Sequence, residues 1–91
     1  MNIVDVYRIL EWWRSKGGSA LVLGDELVFW YNDEGAVLEF RYDLSDKSLK
    51  IFWAQPNELD KALRKLEGTI DEEKFESILH LIFKAAKMFS L

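Results

Sequence analysis

The sequence predicts a single α+β domain over residues 1–91. We expect an N-terminal helix, a four-stranded antiparallel meander in the order 1-2-3-4, and two C-terminal helices packed on the sheet. Apolar residues recur at helical spacing near both ends of the chain, and four segments with alternating apolar residues lie between them. Ninety-one residues are too few for two independent cores.

The first helix is predicted to run from about Ile3 to Lys16. Its apolar arc consists of Ile3, Val6, Tyr7, Ile9, Leu10 and Trp13. Trp12 falls outside this arc, among polar neighbours. Gly17 and Gly18 are expected to end the helix, since glycine is common just beyond a helix C-terminus.

Three turns divide the next segment into four strands. They are predicted at Gly24-Asp25, at Asp33-Glu34 with Gly35 following, and at Asp46-Lys47. The resulting registers pair Val22 with Leu27, Leu21 with Val28, Phe29 with Leu38, Trp30 with Val37, Tyr42 with Ile51 and Phe40 with Trp53.

These registers predict one apolar face of the sheet, because side chains alternate between the two faces of a strand. The predicted inner face holds Val22, Leu27, Phe29, Tyr31, Leu38, Phe40, Tyr42, Leu49, Ile51 and Trp53. On the outer face the same registers set Glu26 opposite Arg41 and Asp43 opposite Lys50, which are favourable cross-strand pairs.

Two helices are expected after Pro56. The shorter runs from about Asn57 to Glu67, and the last begins near Asp71. Apolar residues cover more than half of the last helix, which is typical of a helix buried on two sides. We therefore expect it to lie centrally on the inner face of the sheet, flanked by the first helix or by a second subunit.

The composition narrows the functional classes. A net charge of −4 argues against nucleic-acid binding, which depends on neutralising phosphates. The absence of cysteine excludes disulfides and thiolate chemistry and is consistent with a cytoplasmic protein. Neither a signal peptide nor a membrane-spanning segment is expected. The many charged residues and few amides resemble the composition of thermophile proteins.

No group of residues has the pattern of a catalytic, cofactor or metal site. His80, the only histidine, is expected on the polar side of the last helix with Lys84 and Lys87, where a solvated face explains it. The acidic clusters lack the spacing of a calcium loop. Gly17-Gly18 follows a helix instead of preceding one, so it does not form a phosphate cradle. We expect a protein that is not an enzyme.

One apolar corner remains on the predicted outer face. It is formed by Leu21, Val28, Trp30 and Val37, where a half-solvated sheet should be polar. Either the first helix folds over this corner or a partner covers it. Trp12, outside the apolar arc of its helix, favours a partner. The sequence therefore predicts a protein-association domain, as a homodimer, an assembly subunit or an adaptor.

The alternative function is a module that binds a small apolar ligand between the sheet and the helices. Such a module requires a void among Phe29, Phe40, Trp53 and Ile82. Bulky aromatic side chains more often fill a core than leave one open.

Overall fold

The predicted architecture is confirmed by the computed structural model, which describes residues 1–90. Its elements are α1 (Ile3–Ser15), β1 (Ser19–Leu23), β2 (Glu26–Asp33), β3 (Ala36–Asp43), β4 (Ser48–Gln55), α2 (Asn57–Arg64), β5 (Gly68–Thr69) and α3 (Glu72–Phe89). All strands pair antiparallel in the order β1-β2-β3-β4-β5. The fifth strand extends the four-strand meander, and its two residues are too few to show a sequence period.

The hydrophobic core lies between the inner face of the sheet and the helices. Trp13 of α1 is fully buried and makes edge-to-face contacts with Phe29 and Phe40, whose rings stack on each other with centroids 4.8 Å apart. From α3, Phe75 stacks on Tyr42 with centroids 4.1 Å apart. These contacts place α1 and α3 on the same side of the sheet.

The junction between α1 and β1 depends on two glycines, and the prediction that they end the helix is confirmed. Gly17 has φ +99°, a conformation that glycine adopts readily. Gly18 lies against the indole ring of Trp13, where a Cβ atom would come within 2.6 Å of Cδ1. The Trp13 Nε1 donates a 2.8 Å hydrogen bond to the Trp30 carbonyl. This close approach holds α1 against β1 and β2.

The register of β2 and β3 differs from the prediction by two residues. Phe29 lies opposite Phe40 instead of Leu38, and Trp30 lies opposite Glu39 instead of Val37. The turn is formed by Glu34 and Gly35, because Gly35 adopts φ +95° inside the turn instead of following it. A shift by two keeps every side chain on its predicted face, so the predicted faces of β2 and β3 are unchanged.

The predicted register of β3 and β4 was also wrong, by two residues over the half of the strand pair next to the turn. Tyr42 lies opposite Leu49 and Phe40 opposite Ile51. The Asp43 carboxylate accepts hydrogen bonds from the amides of Ser45 and Asp46 and ends β3 early, which gives a longer turn than predicted. These hydrogen bonds, with the Asp46 amide first, lower the pKa of Asp43.

Two residues predicted for the inner face lie elsewhere or are exposed. A β-bulge between Glu39 and Phe40 gives β4 an extra residue, so Trp53 lies opposite Glu39 on the outer face and is 41 % exposed. Val22 has inner-face parity, opposite Leu27, but is 48 % exposed because β1 is the edge of the sheet.

The predicted charge pairs have different outcomes. Arg41 and Glu26 share the outer face and form a diagonal ion pair of 3.4 Å. Directly opposite Arg41 lies Lys50, and Asp43 lies opposite Ser48, so the predicted pair of Asp43 with Lys50 was wrong. Arg41 also pairs with Glu39 at 3.2 Å, which offsets the positive charge of Lys50.

The last helix occupies the predicted central position. Its residues Phe75, Leu79, Ile82 and Ala86 are buried. The first helix flanks it, since the ring of Trp12 meets Phe83 edge to face and Arg8 contacts Glu76 at 2.5 Å. The second possibility for this flank, a second subunit, is not needed.

Candidate association surface

Four of the five predicted partner residues lie together on the outer face of the sheet. Leu21 lies directly opposite Val28, and Trp30 follows Val28 by two positions on the same strand. Val37 lies opposite Asn32, diagonal to Trp30. The shifted register therefore moves Val37 away from direct pairing but leaves it on the same face.

Only part of this corner is accessible. Val28 is 1 % exposed, between Leu21 on one side and Arg41 on the other. Trp30 is half-buried, and its Nε1 donates a 2.8 Å hydrogen bond to Glu39. Leu21 remains 39 % exposed.

Trp12 lies in the helical layer, apart from the other four. Its indole ring stacks on the His80 ring, with centroids 3.9 Å apart and planes 8° from parallel. The ring is half-buried between α1 and α3. An intramolecular contact thus accounts for its position outside the apolar arc.

The outer-face corner is not covered by the first helix. The buried residues of the three helices all belong to the core cluster on the inner face, and Val28 does not. Phe52 joins the outer face beside Arg41, whose guanidinium lies 4.2 Å from the ring centroid.

The accessible apolar surface is concentrated at the free edge of the sheet. Leu21, Val22 and Leu23 of β1 are 39 %, 48 % and 56 % exposed. On α1, Ile3 and Tyr7 are 72 % and 62 % exposed. Contiguous exposed apolar side chains are typical of interaction surfaces.

A groove of about 610 Å³ joins the two elements. It is lined by Met1, Ile3, Val6, Tyr7, Leu10, Arg14, Leu21, Val22 and Leu44. Most of these side chains are apolar, and Arg14 is the one with a charged side chain. We call this groove with the outward edge of β1 the α1–β1 surface.

The backbone groups of Ala20 and Val22 face outward from this edge. The Leu44 amide donates to the Asp25 carbonyl at 2.8 Å, so the odd-numbered residues of β2 bond to β3. The even-numbered residues of β2, Val28 among them, therefore bond to β1 through Leu21 and its alternate neighbours. The β1 residues between them are Ala20 and Val22, and their backbone N–H and C=O groups therefore point away from β2.

These two outward-facing residues have different surroundings. The Ala20 carbonyl accepts hydrogen bonds from Nε and Nη2 of Arg14, at 3.1 and 2.5 Å. Within residues 1–90, the backbone N–H and C=O groups of Val22 form no hydrogen bond on the outward side of β1. An unpaired strand edge is a template for another strand.

The opposite side of the sheet is closed. Leu49 of β4 pairs with Gly68 of β5. Beyond it, the Ile51 amide donates to Glu67 at 2.8 Å, and the Ile51 and Phe52 carbonyls accept from Arg64 at 3.2 and 3.3 Å. The side chains of Arg64, the last residue of α2, and of Glu67, just before β5, thus occupy the backbone groups that would otherwise pair with another strand.

Residues 1–90 contain no cluster of three or more side chains that would hold a metal ion. His80 is exposed and stacks on Trp12. No helix within the same range is long and apolar enough to span a membrane.

The four residues that would line a core ligand site do not meet around a void. Phe29, Phe40 and Ile82 are fully buried, with the two phenyl rings in direct stacking contact. Trp53 lies on the other face of the sheet.

Sequence reasoning found Leu21 but missed the groove and the free edge. A signal was present: β1 reads Ser-Ala-Leu-Val-Leu, with no charge and no proline, in a strand that the meander order places at an edge. Edge strands usually carry a charged residue or a proline that hinders pairing with another strand.

Neither a protein-family model, nor a curated protein, nor a solved structure matches the chain.

Proposed function

We propose that this protein is a non-enzymatic protein-association domain and that the α1–β1 surface is its contact site. The observation that carries the proposal is the edge of β1, which Arg14 covers at Ala20 but leaves open at Val22. Its outward strand residues are apolar, the backbone groups of Val22 lack partners, and an apolar groove lies beside them. Pairing with another strand would satisfy the backbone, and the groove would take apolar side chains.

A charge placed on this surface provides the test. Val22→Lys puts an ammonium group at the centre of the edge, on a side chain that is already 48 % exposed. We expect this variant to keep its circular dichroism spectrum and to lose the self-association or protein capture shown by the wild type. Light scattering and pull-downs from the native host measure the two forms of association.

Met88→Lys is the matched control. Met88 is 81 % exposed near the end of α3, outside the α1–β1 surface. Both variants introduce one ammonium group in place of an exposed apolar side chain. Since Met88 lies outside the α1–β1 surface, its variant should associate as the wild type does. A wild type that stays monomeric and captures no protein, or equal losses in both variants, contradicts the proposal.

A second candidate function, binding of a small apolar ligand, is favoured by the size of the groove. Its volume of about 610 Å³ lies within the range of about 300–1,000 Å³ that is typical of small-molecule sites. A ligand that binds only the folded state raises the midpoint of thermal unfolding. Screening apolar ligands against wild type and Tyr7→Lys tests this candidate, because a groove ligand should lose its shift in the variant.

A further inference from the structure

We infer that the partner of the α1–β1 surface is a second copy of this chain, joined through antiparallel pairing of two β1 strands about a two-fold axis at Val22. This inference rests on the proposed association function and specifies its partner. The dimer would contain one continuous sheet, because the new strand pair joins the two free edges.

The backbone geometry selects Val22 as the centre. Val22 faces outward, so a two-fold axis beside it makes an antiparallel pair in which each Val22 amide donates to the Val22 carbonyl of the partner. Both groups lack partners in the described chain. An axis beside Leu21 would instead direct both Val22 amides to Ala20 carbonyls, which Arg14 already occupies. With the axis at Val22 the central pair is free, and Arg14 is met only at the terminal pair of Ala20 with Gly24.

The charges at the two ends of β1 complement each other in this register. Ala20, which carries the Arg14 guanidinium on its carbonyl, comes opposite Gly24 of the partner. Because Ala20 faces outward, the Gly24 amide of the partner would be directed at the same carbonyl, so the Arg14 guanidinium would turn aside at this terminal pair. Asp25 of the partner comes next, so a cation at one end of the strand meets a carboxylate at the other. The axis creates this contact twice.

The groove supplies the area that a short strand pair lacks. Stable interfaces bury about 1,200–2,000 Å² in total, more than a five-residue strand offers. A two-fold axis perpendicular to the sheet places both α1 helices on the same side of the continuous sheet. The exposed stripe with Ile3 and Tyr7 then faces the same stripe of the partner.

The other side of the sheet does not offer this arrangement. At β4, Glu67 and Arg64 already bond to Ile51 and Phe52. A second copy would have to displace both side chains before pairing. Self-association through β1 is therefore specific to one edge, and the assembly closes at two copies instead of growing into a filament.

Single cysteines test the register, since the chain contains none. Across the axis, the two Val22 Cα atoms are expected about 5.5 Å apart, within the range of about 4.4–6.8 Å that disulfides span. The two Leu21 positions are diagonal neighbours, about 7–8 Å apart. The two Ser19 positions are separated by six residues along the strand, or about 20 Å.

Under mild oxidation, Val22→Cys should form a disulfide dimer at least tenfold faster than Ser19→Cys and faster than Leu21→Cys. Wild-type light scattering should give twice the chain mass of 10.7 kDa, and Val22→Lys should weaken dimerisation by roughly tenfold or more, since like charges meet at the axis. All four variants replace an exposed side chain, and circular dichroism reports their folding.

Three outcomes overturn the inference. Faster cross-linking at Leu21 than at Val22 contradicts the register, and equal cross-linking at Ser19 shows random collision. A wild type that is monomeric at millimolar concentration contradicts the dimer itself. If that monomer captures a host protein in a Val22-dependent manner, the inference fails while the proposed association function stands.

Discussion

β1 and β4 are the outer long strands of one sheet, yet their outward-facing backbone groups meet different surroundings. At β4, Ile51 bonds to Glu67 and Arg64, and β5 pairs with Leu49. At β1, Val22 bonds to nothing beyond the strand within residues 1–90. The chain's own residues therefore satisfy the backbone groups at the β4 edge and leave those of Val22 at the β1 edge unsatisfied.

The two edges also differ in their side chains. β1 carries three exposed apolar side chains, Leu21, Val22 and Leu23, beside an apolar groove. The exposed aromatic residues of β4, Phe52 and Trp53, lie at a bulge, and the cationic head of Arg41 covers the Phe52 ring. Bulges and charges are devices that protect an edge against pairing. β1 has no bulge and no charged residue of its own, and Arg14 occupies only its Ala20 carbonyl. The proposed contact would explain why the backbone groups of Val22 are left open.

The largest effect is expected at the junction that holds the open edge to α1. In Gly18→Ala, the added methyl group would overlap the Trp13 ring, which is fully buried and has no space to move. We expect a loss of about 3 kcal/mol in the free energy of unfolding, at the upper end of overpacking costs. Urea unfolding followed by tryptophan fluorescence measures it.

Gly17→Ala is the control for that junction. Gly17 has φ +99° but nothing within 4 Å of a Cβ atom, so only backbone strain applies. The expected cost is about 1 kcal/mol. Equal costs for the two variants would show that the contact between Gly18 and Trp13 does not hold β1 in place.

The second effect concerns the closed edge. Glu67→Ala removes the acceptor of the Ile51 amide and so one of the hydrogen bonds that close the edge of β4. We expect a loss of about 1–2 kcal/mol, typical of a part-buried donor left without its charged acceptor. Hydrogen exchange at Ile51 should accelerate. Glu58→Ala, which changes an exposed acidic residue of α2, is the control, and unchanged Ile51 exchange in Glu67→Ala would contradict the account.

The sequence allowed the faces of the sheet to be predicted more accurately than its edges. Alternation assigned Phe29, Phe40 and Tyr42 to the core, because a two-residue shift in register preserves every face. The turns set the absolute register, and small local bonds decided them. Gly35 took a turn position, and the Asp43 carboxylate ended β3 early.

The candidate site was predictable only in part. Leu21 and Trp30 were placed on the outer face by their parity. The contact of Trp12 with His80 joins residues of two helices distant in sequence, and no local pattern of α1 encodes it. The closure of β4 depends on Arg64 and Glu67 reaching back across the chain, which a periodicity argument does not capture.

A third prediction uses pH to compare the edges. The Tyr42 hydroxyl donates a 2.5 Å hydrogen bond to the Ile70 carbonyl, just beyond β5, on the closed side of the sheet. Burial, with smaller contributions from the carboxylates Glu72 and Asp71, raises the pKa of Tyr42 to about 12. The neutral phenol is therefore favoured in the folded state.

The stability that Tyr42 contributes is present below pH 10 and is lost as the pH rises towards 12, because the unfolded phenol ionises first. Tyr42→Phe should lower the free energy of unfolding by about 1 kcal/mol at neutral pH. It should also remove the latest step of the ultraviolet tyrosinate titration. Tyr7→Phe, which alters an exposed phenol, should leave that step intact; a step that persists in Tyr42→Phe would contradict the assignment.

The smallest effect is expected at the β-bulge of β4, which places Trp53 on the outer face. The guanidinium of Arg41 lies 4.2 Å from the Phe52 ring centroid, a cation–π contact at an exposed site. Such contacts contribute about 0.5–1 kcal/mol. A double-mutant cycle of Phe52→Leu and Arg41→Gln should give a coupling energy of this size in urea unfolding. The matched cycle with Trp53→Leu, whose ring is 41 % exposed on the same strand, should give a smaller coupling energy. Equal couplings would mean that Arg41 does not cover the bulge selectively, and the protection of the β4 edge would then rest on Arg64 and Glu67 alone.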